Sequence, residues 1–497
     1  METYSVTSGF RGSLAAAAEL KQATPAIAEM LAAEDIGKLP DISIADSLSR
    51  LSGLATQRLN GRSQAISIRG LTGDFTTGLL NGREQVSTGS NRAVEFDQYP
   101  AELLSGAVVY KTTDAALVGQ GMAGTIDLRT VRPLSQGKRT IAVNSFYDRT
   151  QFGALNAGSK NSGVRYSASY IDQFGDGKFG VAIGFAHADL PGQGEQWNAW
   201  GYPNVEASVS PTKPYVIGGA KPFVRSSELK RNGLMAVLEY KPSANFHSTV
   251  DIYRSKFNET QLLRGIEIPL QWSSATLQPG FTVDNELIIN PTFNNVYGVI
   301  RNDVVDRNND VWAAGWNMQF GDRTGWKTTA DISYSRIYRK DRVLETYSGA
   351  GSVNAIGFGS SDTMAVTMGS GRGAIFTPTL DYADPSKLRL TSPQGWGSDV
   401  VPGGQVGYLK NPTAKDSLSQ AKLFTEYDLK GWFSRVEFGA AYSRRTKSEI
   451  EDGYYLALAN GQTSAPLTTS NGVTNLSFIG ISGMASYDPL AALNSGI

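Results

Sequence analysis

From Arg139 onward the chain alternates apolar and polar residues with period two. Trp326, Thr328, Ala330, Ile332 and Tyr334 stand against Lys327, Thr329, Asp331, Ser333 and Ser335. Val164, Tyr166, Ala168 and Tyr170 oppose Arg165, Ser167 and Ser169, and Val436, Phe438, Ala440 and Tyr442 oppose Arg435 and Glu437. This period sorts side chains onto the two faces of a strand. It predicts nine strands, at 139–148, 163–172, 179–189, 231–241, 246–258, 310–321, 326–338, 418–430 and 432–445. Their connections are short at 173–178, 242–245, 321–325 and Gly431, but long at 190–230, 259–309 and 339–417. A compact soluble domain seldom carries loops that long. A transmembrane barrel with tight periplasmic turns and long extracellular loops does. Tyr170, Tyr240, Trp326, Tyr334 and Trp432 fall near segment ends, where an interfacial aromatic girdle would place them.

The first third follows a different pattern. Residues 1–12 are polar and broken by Thr7-Ser8-Gly9, which predicts a flexible N-terminus. Ala-rich stretches at Leu14–Leu20 and Ile27–Ala33 predict short helices. Ser43 followed by Asp46 is a helix start, with Ile44, Leu48 and Leu51 on one face and Gly53 as the left-handed stop. Ala65–Arg69 alternates as a strand, and Leu79-Leu80 leads into Asn81-Gly82, a favoured hairpin turn. Pro100, Glu102 and Gly106 mark the start, first turn and end of another helix. Val108–Tyr110 and Thr125–Thr130 read as strands. Together these predict a small α+β domain at 13–135 ahead of the strand-rich part at 136–497.

Composition removes several function classes. Lys plus Arg and Asp plus Glu are both 46, so there is no broad basic surface for nucleic acid. There is no Cys, hence no disulfide or thiolate metal site. The two histidines, His187 and His247, have no metal-ligand spacing and fit strand faces. They are also too few and too scattered for a nucleophilic triad, so the chain is read as no enzyme and as holding no cofactor or metal. Gly119-Gln120-Gly121-Met122-Ala123-Gly124 matches a dinucleotide fingerprint in letters, but a strand pattern follows it where a helix is required. No apolar run reaches the ~18 residues of a membrane helix, a test blind to barrels. No secretory leader pattern follows Met1, so the expectation is a removed leader or a missing true start.

An ordered series of motifs occupies the small domain: Asp35-Ile-Gly-Lys-Leu-Pro-Asp41, Ser47-Leu-Ser-Arg-Leu-Ser-Gly53, Ile66-Ser-Ile-Arg-Gly-Leu71, Asn81-Gly-Arg83, Val108-Val-Tyr-Lys111 and Gly124-Thr-Ile-Asp-Leu-Arg-Thr-Val-Arg-Pro133. In this order they resemble the plug domain of TonB-dependent outer-membrane receptors, in the subgroup with many carbohydrate importers. The resemblance implies an α+β plug followed by the first strands of a transmembrane antiparallel β-barrel of 22 strands, about nine of them present. On that count about 13 strands would lie beyond Ile497. It also implies an outer-membrane location, with TonB, membrane lipid and a small-molecule ligand as partners. The leading function is active import of a carbohydrate. The alternatives are a ferric-siderophore receptor or a signal-transducing one.

The same resemblance assigns residues. Glu2, Thr3, Tyr4, Ser5 and Val6 are similar to a TonB box, which an energy-coupling partner would grip by strand addition. Arg69 falls where receptors carry a charge lock between plug and wall, and Lys111 falls near its second basic member, with acidic partners expected beyond Ile497. Lys cannot reproduce a bidentate Arg contact, so that half of the lock is weakened. Phe75 and Arg92 lie in the turns expected at the plug apex. Trp197, Trp200 and Tyr202, set among Asn, Gln and Glu, either stack on sugar faces or pack the first long loop; the residues alone leave both open.

Overall fold

The computed structural model describes residues 21–22, 26–32, 43–59, 62–113, 117, 121–321, 325–354, 359–370, 373–429, 431–467 and 471–497. The TonB-box-like segment at 2–6, the predicted helix at Leu14–Leu20 and Gly119 lie outside these. The first described elements are β1 (Ala28–Ala32), α1 (Ile44–Leu48), β2 (Leu54–Leu59), β3 (Arg62–Ile68), β4 (Thr76–Leu80), β5 (Arg83–Glu84), β6 (Gly106–Tyr110) and β7 (Gly124–Arg129). They form a five-stranded sheet of order β1-β6-β7-β4-β5 and a separate β2–β3 hairpin. Within the sheet β4 and β7 run parallel.

Three local expectations are corrected. The helix expected at Ile27–Ala33 does not form over the described residues 27–32. Ala28–Ala32 pairs antiparallel with β6, and Ala28 is buried with Val108 and Tyr110. Ala, Glu, Met and Leu are good helix formers, but differences in propensity are small, and pairing with a sheet edge that satisfies the backbone groups overrides them. The helix at Ser43 forms with the expected cap, the hydroxyl accepting from Ala45 N, but stops at Leu48. Gly53 has φ +73 and turns the chain into β2 rather than ending the helix. At Pro100 only a 3₁₀ turn forms, at Ala101–Leu103. Ser105 N then donates to Arg129 O, which draws Gly106 into the sheet.

All nine wall strands are present in the expected order: β8 (Thr140–Arg149), β9 (Ser162–Phe174), β10 (Phe179–Gln196), β11 (Phe223–Ser243), β12 (Phe246–Pro269), β13 (Val299–Phe320), β14 (Trp326–Gly349), β15 (Thr413–Asp428) and β16 (Arg435–Ile450). Each pairs antiparallel with the next, giving an open curved sheet from β8 to β16. Several run further on the long-loop side than the alternation predicts, because their outward face there is covered by loops rather than lipid. Val224, Ile266, Ile268 and Ile300 on the strands join Phe293, Phe376, Phe478 and Met484 from the loops in an apolar cluster. Side chains also pin this layer. The Asn156 amide donates to Val224 O and Leu262 O, and Asn302 Oδ1 accepts from Tyr487 N.

Below that layer the outward face is apolar and uncovered. Leu234, Leu238, Ile252, Trp316 and Ile332 are all exposed there, as residues facing hydrocarbon must be. On β14 this face carries no charge from Trp326 to Tyr334. Rings line its short-turn edge: Tyr240 lies 6.4 Å from both Phe179 and Phe246, Phe246 lies 5.1 Å from Phe320, and Trp326 lies 4.9 Å from Tyr427. Tyr334 sits higher, 5.8 Å from Trp312. The inward face meets the small domain. Ile66, Leu80, Val109 and Ile126 share one core with Ala182, Met235, Tyr253 and Val311 of the wall. A Cβ on Gly233 would come 2.6 Å from the Pro100 ring, so a bare backbone there lets the two surfaces close.

Candidate functional site

The contact between the small domain and the wall is built around the β4–β5 hairpin. Asn81 (φ 53) and Gly82 (φ 77) both adopt the left-handed conformation that a tight two-residue turn requires. The turn is fixed from behind, as Gly82 N donates to Asp127 Oδ1 and Thr130 N donates to Asn81 Oδ1. This aims Arg83 at three wall strands. Its Nη1 lies 2.6 Å from Asp251 of β12, and its Nε and Nη2 each lie 2.9 Å from Asp331 of β14. Between them on β13 is Gly315, where a Cβ would fall 2.2 Å from the guanidinium carbon. Burial works against the charge on Arg83, but Asp251 and Asp331 outweigh it and hold Arg83 above its ordinary value. Lys422 donates to Gly82 O at 2.9 Å, and Asn81 Nδ2 donates to Asp251 at 2.8 Å.

A second tier of contacts lies toward the long loops. Glu84 meets Arg445 at 3.3 Å, and Arg445 also holds Asp416 at 2.5 Å. Lys447 donates to Ser87 Oγ at 2.9 Å and to Asn91 O at 2.6 Å. Arg62 pairs with Glu259 at 2.9 Å, while Arg231 donates to Asp97 O. Tyr99 stacks on Tyr253 with centroids 5.1 Å apart, and the Tyr253 hydroxyl donates to Gln98 O. Burial, and then the neighbouring Asp97, push the Glu95 carboxyl up to about 7. The small domain is therefore held by many directional polar contacts, which specify one seating and can be exchanged for water when it moves.

The residues expected to form the lock meet no wall carboxylate among the described residues. Arg69 is exposed in a turn at φ 54, and among the described residues it makes no ion pair. Lys111 pairs with Glu29 at 3.2 Å and reaches Ser52, both within the small domain. Among the described residues, Arg83 makes a buried ionic contact with the wall that the sequence did not assign. Its signal was the Arg directly after Asn-Gly, since such a turn projects the next side chain out of the sheet.

At the opposite end the two apical turns meet. Asp74 accepts from Arg92 N at 3.1 Å and from Asn91 Nδ2 at 3.2 Å, bringing Phe75 and Arg92 to one edge, where both are exposed. The aromatic loop residues divide. Trp197 stacks on Phe376 at 5.7 Å, and a Cβ on Gly373 would meet its ring, so this ring packs the loop. Trp200 lies against Gly219 and remains half-buried. Tyr202 is exposed. Trp272, 54% exposed over Gly201 and Gly218, joins this region although sequence reading gave it no role.

Residues 20–126 match the family model described as the TonB-dependent Receptor Plug Domain. These residues form a TonB-dependent receptor plug domain. The small domain is the plug, and the nine-stranded sheet is an open antiparallel wall packed against it, with an apolar, uncovered outward band. No curated protein matched the chain. Among solved structures, a ferric enterobactin receptor variant from Pseudomonas aeruginosa in complex with enterobactin aligns at 10% identity over 93% of this chain and 76% of that one, with TM-score 0.32. The outer membrane transporter YddB from Escherichia coli aligns at 10% identity over 80% and 69%, with TM-score 0.32. The siderophore receptor PiuA from Acinetobacter baumannii aligns at 10% identity over 91% and 83%, with TM-score 0.30. Scores at this level establish no common geometry, and the assignment rests on the plug.

Proposed function

We infer that the receptor imports a ligand across the outer membrane, driven by TonB, and performs no covalent chemistry. The observation that carries this reading is the Arg83 contact with Asp251 and Asp331, a buried ionic latch between plug and wall. Apolar packing shared with the wall supplies most of the hold, and buried ion pairs add little net stability to it. A plug meant to move gains from contacts that fix one seat and re-form. Ligand would bind at Phe75 and Arg92 and against the loop rings Trp200 and Tyr202, with Trp197 bracing them. Binding there would shift the plug and make Glu2–Val6 available to TonB.

Carbohydrate is the preferred ligand class, because exposed rings beside amides and carboxylates suit sugar faces and hydroxyls. Arg92, half-exposed on the same edge as Phe75 and paired with Glu84 at 3.5 Å, favours a second reading, an anionic ferric chelate that would compete for its guanidinium. The test is uptake of labelled oligosaccharides and of ferric chelates by cells producing the receptor. Removing Glu2–Val6 should abolish energised uptake and leave surface binding intact. Uptake that survives the deletion would refute TonB coupling through this segment.

A further inference from the structure

Asn-Gly occurs at Asn60, Asn81, Asn232, Asn460 and Asn471. The pair carries its own chemistry. Glycine has no side chain to shield its amide nitrogen. That nitrogen attacks the Asn carboxamide carbon and closes a cyclic imide. Ammonia leaves with the glycine amide proton, and water then opens the imide to aspartate or isoaspartate. A strand ladder blocks the closure at Gly233, opposite Ser255, and at Gly472, opposite Ser486, because it fixes the backbone dihedrals that must turn. Asn60 and Gly61 lie outside the described residues. The other two pairs are turns, with Asn81 at φ 53 and Asn460 at φ 57, each followed by a left-handed glycine. Asn460 is exposed, and its side chain makes no hydrogen bond among the described residues.

At Asn81-Gly82 the reacting groups are held. The attacking Gly82 N donates to Asp127 Oδ1 at 2.8 Å. Asn81 Oδ1 accepts from Thr130 N at 3.0 Å, and the departing Nδ2 donates to Asp251 Oδ1 at 2.8 Å and to Thr130 Oγ1 at 3.0 Å. Both ends of the carboxamide are pinned, so it cannot swing onto Gly82 N. Attack also gathers negative charge beside the Asp127 and Asp251 carboxylates, which oppose it. Two holds come from the wall: Asp251 on Nδ2, and Lys422, which donates to Gly82 O at 2.9 Å. We propose that Asn81-Gly82 is a deamidation site, shielded by the seated plug and opened when the plug parts from the wall. Its product sets a new carboxylate against Asp251, and like charges there weaken the seat to which the plug returns. The modification depends on the contact between plug and wall and not on what the chain carries.

The full chain, purified in detergent, is incubated at mildly alkaline pH, and conversion at each Asn-Gly pair is followed by peptide mass spectrometry that separates aspartate from isoaspartate. In wild type Asn81 should convert at least tenfold more slowly than Asn460. Chain unfolded in urea should convert the two within about twofold of each other. Arg83→Gln should speed Asn81 at least threefold and leave Asn460 unchanged. Where that variant does not assemble, Lys422→Gln, which frees Gly82 O and spares the latch, decides in its place. Asn81 converting as fast as Asn460 in the folded wild type, or at a rate the deciding variant does not move, overturns the site. Asn81→Asp should by itself speed hydrogen exchange at Leu79–Glu84 at least threefold, and Asn460→Asp should leave it unchanged. Equal exchange in the two variants overturns the weakened seat.

Discussion

Replacing Arg83 by Gln tests the latch most directly. The substitution shortens the side chain and removes the charge, leaving Asp251 and Asp331 facing each other across Gly315 with no guanidinium between them. Breaking a buried pair by deleting one partner costs about 3–5 kcal/mol. Lys422 and Asn81 stay within reach of the hairpin and soften the loss. A net weakening of plug seating of about 2–4 kcal/mol follows, or roughly 30- to 1000-fold in the seated-to-unseated ratio. Hydrogen exchange of the β4, β5 and β7 amides in detergent reads this ratio, and these amides should exchange faster by that factor. Gly315→Ala should act the same way from the other side, because its methyl group would occupy the guanidinium position. Converting all three charged residues together to apolar side chains of similar volume should restore much of the protection, since the uncompensated charges are then gone. Unchanged exchange at Leu79–Glu84 in Arg83→Gln would refute the latch.

Other consequences are open to measurement. Glu95, raised to about 7 in the seated plug, binds a proton there that its solvated form releases; seating is therefore firmer below neutrality and weakens as pH rises through about 7. Amide protection across 86–104 should fall over that window in wild type and remain flat in Glu95→Gln. Ile332→Arg places a charge in the middle of the apolar band and should cost about 2–4 kcal/mol, read as lost membrane assembly on a folding gel shift. Tyr202→Ala with Trp272→Ala should weaken binding of an oligosaccharide ligand severalfold while leaving assembly unchanged; equal affinity would remove these rings from the site.

The wall was legible because two solvents act on it. Lipid outside and plug inside impose period two on β8 to β16, and each predicted segment found its strand. The long-loop ends were not legible. There Ile266, Ile268 and Ile300 are covered by residues as distant as Phe478 and Met484, a pairing that no local pattern records. Ile27–Ala33 misled for the opposite reason, since its local preference is helical and its partner strand lies about eighty residues away. The latch was half visible. Asn81-Gly82 announced a turn, but the carboxylates that give Arg83 its role come from β12 and β14, and only the folded sheet brings them together. Trp197 carried no sign in sequence that Phe376 would occupy its face.

The apolar cluster on the far side of β11 to β13 has a mechanical meaning. Loops fastened there cannot flap without exposing Ile268, Phe293 and Phe376 to water, so the outer portion behaves as a stiff tower. Any displacement of the stopper then has to break its own mixed grip of ion pairs and shared apolar core, while the rim around it keeps its shape.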